Sequence, residues 1–187
     1  MLCSVLTACA PTTQSVRVSS AAADSEARKQ RQVALQAYLA DQKRLMQVSY
    51  PLLTRGADLC GEDIRYTTGM ALGNSSTLLG EQFKETAESD YHLSDQIQAV
   101  YVVPGSAADK AGVRGGDTLL QIGQSPVTGS GSDAVKETLN QIQIQSQNAQ
   151  PVRVDILRPP QGKNPTSQKM SLLIAPDRSC SYPVLLG

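Results

Sequence analysis

The sequence predicts an α+β protein in which one long helix precedes a small domain of short strands. Two observations carry this. Leu35, Tyr38, Leu39, Leu45, Met46, Leu52 and Leu53 recur at helical spacing and form one apolar stripe. From Arg65 onward, short apolar runs alternate with clusters of Gly, Pro, Asp and Ser, the punctuation of strands and turns. The chain has 187 residues, 40% of them apolar, with no Trp and one Phe. Its core must therefore be built from Val, Leu, Ile and Ala. Seventeen Lys and Arg balance seventeen Asp and Glu, so no charge excess argues for a nucleic-acid partner. No run of eighteen apolar residues offers an ordinary transmembrane helix.

The elements follow in order. "MLCSVLTACAP" opens the chain, and its Leu6-Thr7-Ala8-Cys9 resembles the lipobox of bacterial lipoproteins. That resemblance implies a signal-like segment at 1–9 and acylation of Cys9. It implies a bacterial cell-envelope location facing the periplasm, with the membrane contacted through the lipid anchor alone. Only eight residues precede Cys9 and none is basic, so either translation starts upstream of Met1 or the match is accidental. Residues 10–23 are small and polar and read as a tether, about 45 Å when extended. A long amphipathic helix is expected over 24–55, capped by Asp24 or Ser25. Arg28, Lys29, Arg31, Lys43 and Arg44 lie on its opposite face and read as a solvated surface.

After a break at 55–61, "RYTTGMAL" (65–72) reads as a strand and "GNSSTLLG" as a loop. A helix is expected over 81–93, and strands over 97–103 and 118–122. The loop "TGSGS" leads to Ser132 as N-cap of a helix from Asp133, with Val135, Leu139 and Ile142 on one face. Its end stays open, because "QIQIQ" alternates with strand period. "VRVDILR" and "KMSLLIA" are strands joined by the Pro/Gly loop "PPQGKNPTS".

The stretch "YVVPGSAADKAGVRGGDTLLQIGQSPV" (101–127) is the most informative. Pro104-Gly105 ends a strand, and Ser106 caps a short helix, Ala107–Ala111. Gly112 ends that helix in the left-handed region, and Val113 returns to the core. Gly115-Gly116 turns the chain, and Asp117 satisfies turn amides before the next strand. This ordered pattern closely resembles a PDZ domain of the bacterial type, over about Arg65 to Ala175. The resemblance implies a PDZ domain at 65–176, with 177–187 as a closing segment. It implies a partly open β-barrel or sandwich capped by helices.

It also implies a function. PDZ domains bind a partner's C-terminus, or an internal extended segment, as an added strand beside a helix. The loop that holds the carboxylate matches Thr67-Thr68-Gly69-Met70, where Thr68 replaces the usual aliphatic residue. Met70, Ala71 and Leu72 then form the pairing edge, and Val135, Thr138 and Leu139 flank the terminal side-chain pocket. Gly69→Val is expected to weaken binding without unfolding the domain, whereas Leu139→Ala is expected to cost core packing as well. Expected partners are peptide or protein C-termini, and no nucleic acid.

Four cysteines form two groups. Cys3 and Cys9 belong to the leading segment. Cys60 and Cys180 flank the PDZ-like region, match no metal spacing, and suit a single long-range disulfide in an oxidising compartment. No cofactor or metal is expected. His92 is the single histidine, in the polar stretch "DYHLSD", and no G-x-S-x-G occurs, so the residues favour binding over catalysis. A second resemblance covers the whole arrangement. A lipobox, a long helix, "LCG", a PDZ domain and "CSYPV" are similar to the N-terminal region of periplasmic zinc metallopeptidases with an embedded PDZ domain. In those proteins a catalytic domain carrying H-E-x-x-H follows. A single histidine cannot supply that pair, so the chain is either the front of such a protein or a stand-alone relative, and a protease domain is an expected partner.

Overall fold

A computed structural model of the chain describes residues 19–160 and 165–181. Cys3, Cys9, the signal-like segment and most of the expected tether lie outside the described residues.

Helix α1 (Ser20–Arg55) starts before the expected cap at Asp24 or Ser25. Ser19 is extended and its hydroxyl accepts from the Ala22 amide at 3.3 Å, so residues 20–23 are helical rather than tether. The physical reason is an alanine run placed directly behind a good cap. The helix runs through Pro51 and closes at Gly56, whose amide donates to the Leu52 carbonyl at 3.0 Å. Leu35 is its one fully buried residue. It packs on Ala87 of α2 (Lys84–Tyr91) and on Leu93. Tyr38 and Leu39 join that cluster. Leu52 departs from the expected stripe and is 70% exposed, because at about 100° per residue it stands a quarter-turn away from Leu35 and Leu53. Arg28 and Lys43, on the face expected to be solvated, are exposed; Arg28 lies 3.9 Å from Glu85, and Lys43 sits over the ring of Tyr101.

The expected single strand over 65–72 is two strands. β1 (Ile64–Thr67) and β2 (Met70–Gly73) are separated by Gly69, which at φ +76° breaks the run. β2 joins β3 (Gln98–Val102), β4 (Thr118–Ile122), β6 (Val152–Arg158) and β7 (Gln168–Ile174) in one antiparallel sheet of that order. The two-residue β5 (Ser125–Pro126) folds back onto β4. β1 pairs instead with β8 (Asp177–Cys180), from Ile64↔Cys180 to Thr67↔Asp177. The closing segment thus supplies a strand. The sheet stays open, and no closed barrel forms among the described residues.

The core lies between the sheet, α3 (Ala107–Lys110) and α4 (Gly131–Gln145), around Met70, Ala99, Val113, Leu119, Ile122, Val154 and Ile156. Ser106 caps α3 as expected, accepting from the Asp109 amide at 3.3 Å, and Gly112 follows at φ +90°. α4 begins before Ser132, with Ser130 at its N-cap. "QIQIQ" is helical: Ile142 is buried one turn from Thr138, while Ile144 faces solvent at 55% exposure. Asp117 does accept a turn amide, from Arg114 at 2.8 Å. It is also fully buried and receives Nε and a terminal nitrogen of Arg158, at 2.8 and 2.7 Å. The same terminal nitrogen of Arg158 donates to the Gly112 carbonyl, so one buried cation ties the turn, the short helix and β6 together. Cys60 and Cys180 form a disulfide with Cα atoms 5.7 Å apart. The fold is α+β and PDZ-like, with the long helix laid against it.

Candidate functional site

β2 has a sheet neighbour on one side only, and α4 packs against that end strand. The cleft between them is the candidate site. At one end the chain turns from β1 into β2 through Thr68-Gly69. The carbonyls of this turn point into the domain: Thr68 accepts from the Ala108 amide at 2.8 Å, and Gly69 from the Val103 amide at 2.9 Å. Among the described residues no hydrogen bond is donated by the Thr68 or Gly69 amide. At the far end Asn74, fully buried, donates from Nδ2 to the Gly131 carbonyl at 3.4 Å, joining the exit of β2 to the start of α4. The adjoining loop is held by the Ser75 hydroxyl, which donates to Glu88 at 3.1 Å and Asp95 at 3.2 Å.

The residues assigned to the carboxylate loop and pairing edge, Thr67 to Leu72, are contiguous along one side of the cleft. Met70 turns into the core at 7% exposure, and a bulge falls between Ala71 and Leu72. On α4, Val135 and Leu139 lie one turn apart; Val135 is half-buried and Leu139 is 44% exposed. Leu139 is therefore not a core residue, contrary to the expectation that its truncation costs packing. Thr138 is buried, and its hydroxyl donates to the Ala134 carbonyl at 2.8 Å.

Gly69 differs from expectation in a second way. A Cβ placed there would lie 2.4 Å from the Ser106 Cβ and 2.6 Å from the Tyr50 ring. Together with its positive φ, this makes any side chain at Gly69 a burden on the fold, so Gly69→Val does not isolate binding. Tyr50 escaped the sequence reading altogether. Its hydroxyl donates to Asp177 and accepts from the Ala107 amide at 3.2 Å, which fastens α1 to β8 and α3 directly behind the loop. Burial, and then the hydrogen bond to Asp177, push the Tyr50 hydroxyl pKa well above the usual tyrosine value. No local pattern marks this role, because its partners are 57 and 127 residues away.

His92 ends α2 in the left-handed region and is exposed. No group of three His, Cys, Asp or Glu side chains converges among the described residues, and no described helix is long and apolar enough to cross a membrane. What the cleft offers chemically is a strand edge, free amides and an aliphatic wall.

No family model matches the chain, and no curated protein matches it. Solved structures similar to it include two PDZ proteins. One is the HtrA3 PDZ domain bound to a phage-derived ligand (FGRWV), with a TM-score of 0.40 at 17% identity, covering 63% of this chain and 91% of that one. The other is a PDZ domain protein from Parabacteroides distasonis, with a TM-score of 0.40 at 16% identity, covering 63% of this chain and 21% of that one. The chain thus spans a minor part of the second protein's length. The PDZ-like assignment of the fold rests on the strand order, the capped α3 and the glycine-led loop entering β2.

Proposed function

We propose that the chain is a peptide-binding module of a cell-envelope lipoprotein, recruiting C-terminal or extended segments of partners or substrates. The observation that supports it is the end strand β2, entered through left-handed Gly69 with unengaged amides and faced by α4. A peptide strand adds its main-chain hydrogen bonds to β2, and its carboxylate meets the Thr68–Met70 amides. Leu72, Val135 and Leu139 offer aliphatic walls, so the terminal residue is Val, Leu, Ile or Ala. Ordering a short peptide offsets much of the gain, and the affinity expected is micromolar, about −8 kcal/mol. The Cys60–Cys180 bridge suits an oxidising compartment, which supports a periplasmic location.

Calorimetry with a free-acid peptide and its C-terminal amide tests the reading. The acid is expected to bind and the amide to bind more weakly. Leu139→Ala, at an exposed position, should lower affinity while leaving the unfolding midpoint nearly unchanged. Equal binding of acid and amide removes the carboxylate loop from use. No binding by the folded chain makes it a scaffold with an idle groove. The disulfide between "LCG" and "CSYPV" also favours a second reading, the non-catalytic front of a periplasmic zinc metallopeptidase. Sequencing the reading frame beyond Gly187 for H-E-x-x-H decides that point.

A further inference from the structure

We infer that the space beneath α1 is a second binding site, one that takes a single long-chain carboxylate. α1 is fastened at two points: at Leu35, against α2, and at Tyr50, against β8 and α3. The fifteen residue steps from Leu35 to Tyr50 span about 22 Å of helix. Under that span the helix does not close onto the sheet. A cavity of about 930 Å³ remains, roofed by Leu39 and Met46 and floored by Ala71, Leu72, Val100 and Tyr101. Its size matches sites that enclose a small ligand, and its walls are mainly aliphatic and aromatic. No α4 residue lines it; Ala71 and Leu72 border both this cavity and the β2–α4 cleft, but the inference does not depend on peptide binding.

The chemistry of the walls selects the occupant. The cavity lies on the face of β2 and β3, whose backbones are already paired with each other. A peptide strand finds no edge there, whereas a hydrocarbon chain needs none. No Asp or Glu lines the cavity; its basic side chains are Lys43 and His92. Lys43 Nζ stands 5.7 Å from the Tyr101 ring centroid, and the Tyr101 hydroxyl is buried without a hydrogen-bond partner among the described residues. A carboxylate at this end pairs with Lys43, while the acyl chain runs along Leu39, Leu72 and Val100.

The test is fluorescence titration of the delipidated full chain with cis-parinaric acid, displaced by palmitate or by 1-hexadecanol below their aggregation limits. Saturable binding in the micromolar range is expected, with the alcohol about tenfold or more weaker than the acid. Lys43→Met should bring palmitate down to the level of the alcohol. Leu39→Trp, which fills the roof, should weaken both ligands, and Met46→Trp serves if circular dichroism shows Leu39→Trp unfolded. Absence of saturable binding, or undiminished binding by a folded roof variant, overturns the site. Equal affinity for acid and alcohol in the unaltered chain overturns the carboxylate assignment.

Discussion

At the scale of single residues, Gly69 and Tyr50 decide how the candidate loop is held. Gly69 combines φ +76° with a Cα face pressed against Ser106 and Tyr50. Gly69→Ala is expected to lower stability by about 1–3 kcal/mol, read from urea unfolding, even with no peptide present. Unchanged stability would mean that the turn relaxes freely. Tyr50 makes a pH prediction. Its folded pKa is raised above the unfolded value, so its contribution is complete below about pH 10. As pH rises beyond that value, the unfolded chain loses the proton while the folded chain keeps it, and stability falls. Unfolding midpoints across pH 8–11 should therefore drop more steeply for the native chain than for Tyr50→Phe. Parallel profiles would show that the hydroxyl ionises alike in both states.

Among the elements, α1 carries the most sequence and the least burial. Thirty-six residues are helical, yet Leu35 is the one fully buried. Leu35→Ala removes the plug between α1 and the Ala87–Leu93 pair, and is expected to cost about 2–5 kcal/mol. Hydrogen exchange should show the loss concentrated in the first half of α1 and in α2, with β4 and β6 retaining protection. A uniform loss across the sheet would make α1 part of one cooperative unit with the core. α4 contrasts with it. There Thr138 and Ile142 face the domain, which leaves Leu139 at the surface for a ligand.

For the whole molecule, the closing contact is β1 with β8, locked by Cys60–Cys180 across 120 residues. β8 also carries Asp177, the partner of Tyr50, so helix, loop and chain end are held through one short strand. Loop-closure reasoning gives about 5 kcal/mol for such a bridge, less where the native geometry resists it. Replacing both cysteines by serine should lower stability by up to that amount. Non-reducing peptide mapping of the native chain should recover the crosslinked pair, and two free thiols would refute it.

Much of this was legible in the sequence, because local chemistry carried it. The cap at Ser106, the left-handed Gly112, the strand at Thr118–Ile122 and the helix after the Gly/Ser loop each follow from nearest neighbours. The two lone cysteines also read correctly, since their number left one pairing. Other features depended on contacts distant in sequence, which no local pattern encodes. Leu52 stands at the margin of the apolar stripe, a quarter-turn from Leu35, and only the packed domain shows how much of that stripe is covered. Asp117 was legible as a turn residue, yet its pairing with Arg158 required β6 to return beside the turn. β8 looked like a tail because four residues carry little periodicity; its partner strand makes it part of the fold. The sequence alone determined the turn chemistry from Pro104 to Asp117 and the glycine-led loop that enters β2. Tertiary structure alone decided that α1 bridges the sheet, that Tyr50 backs Gly69, and that a cavity lies under the span, because packing between distant segments sets all three.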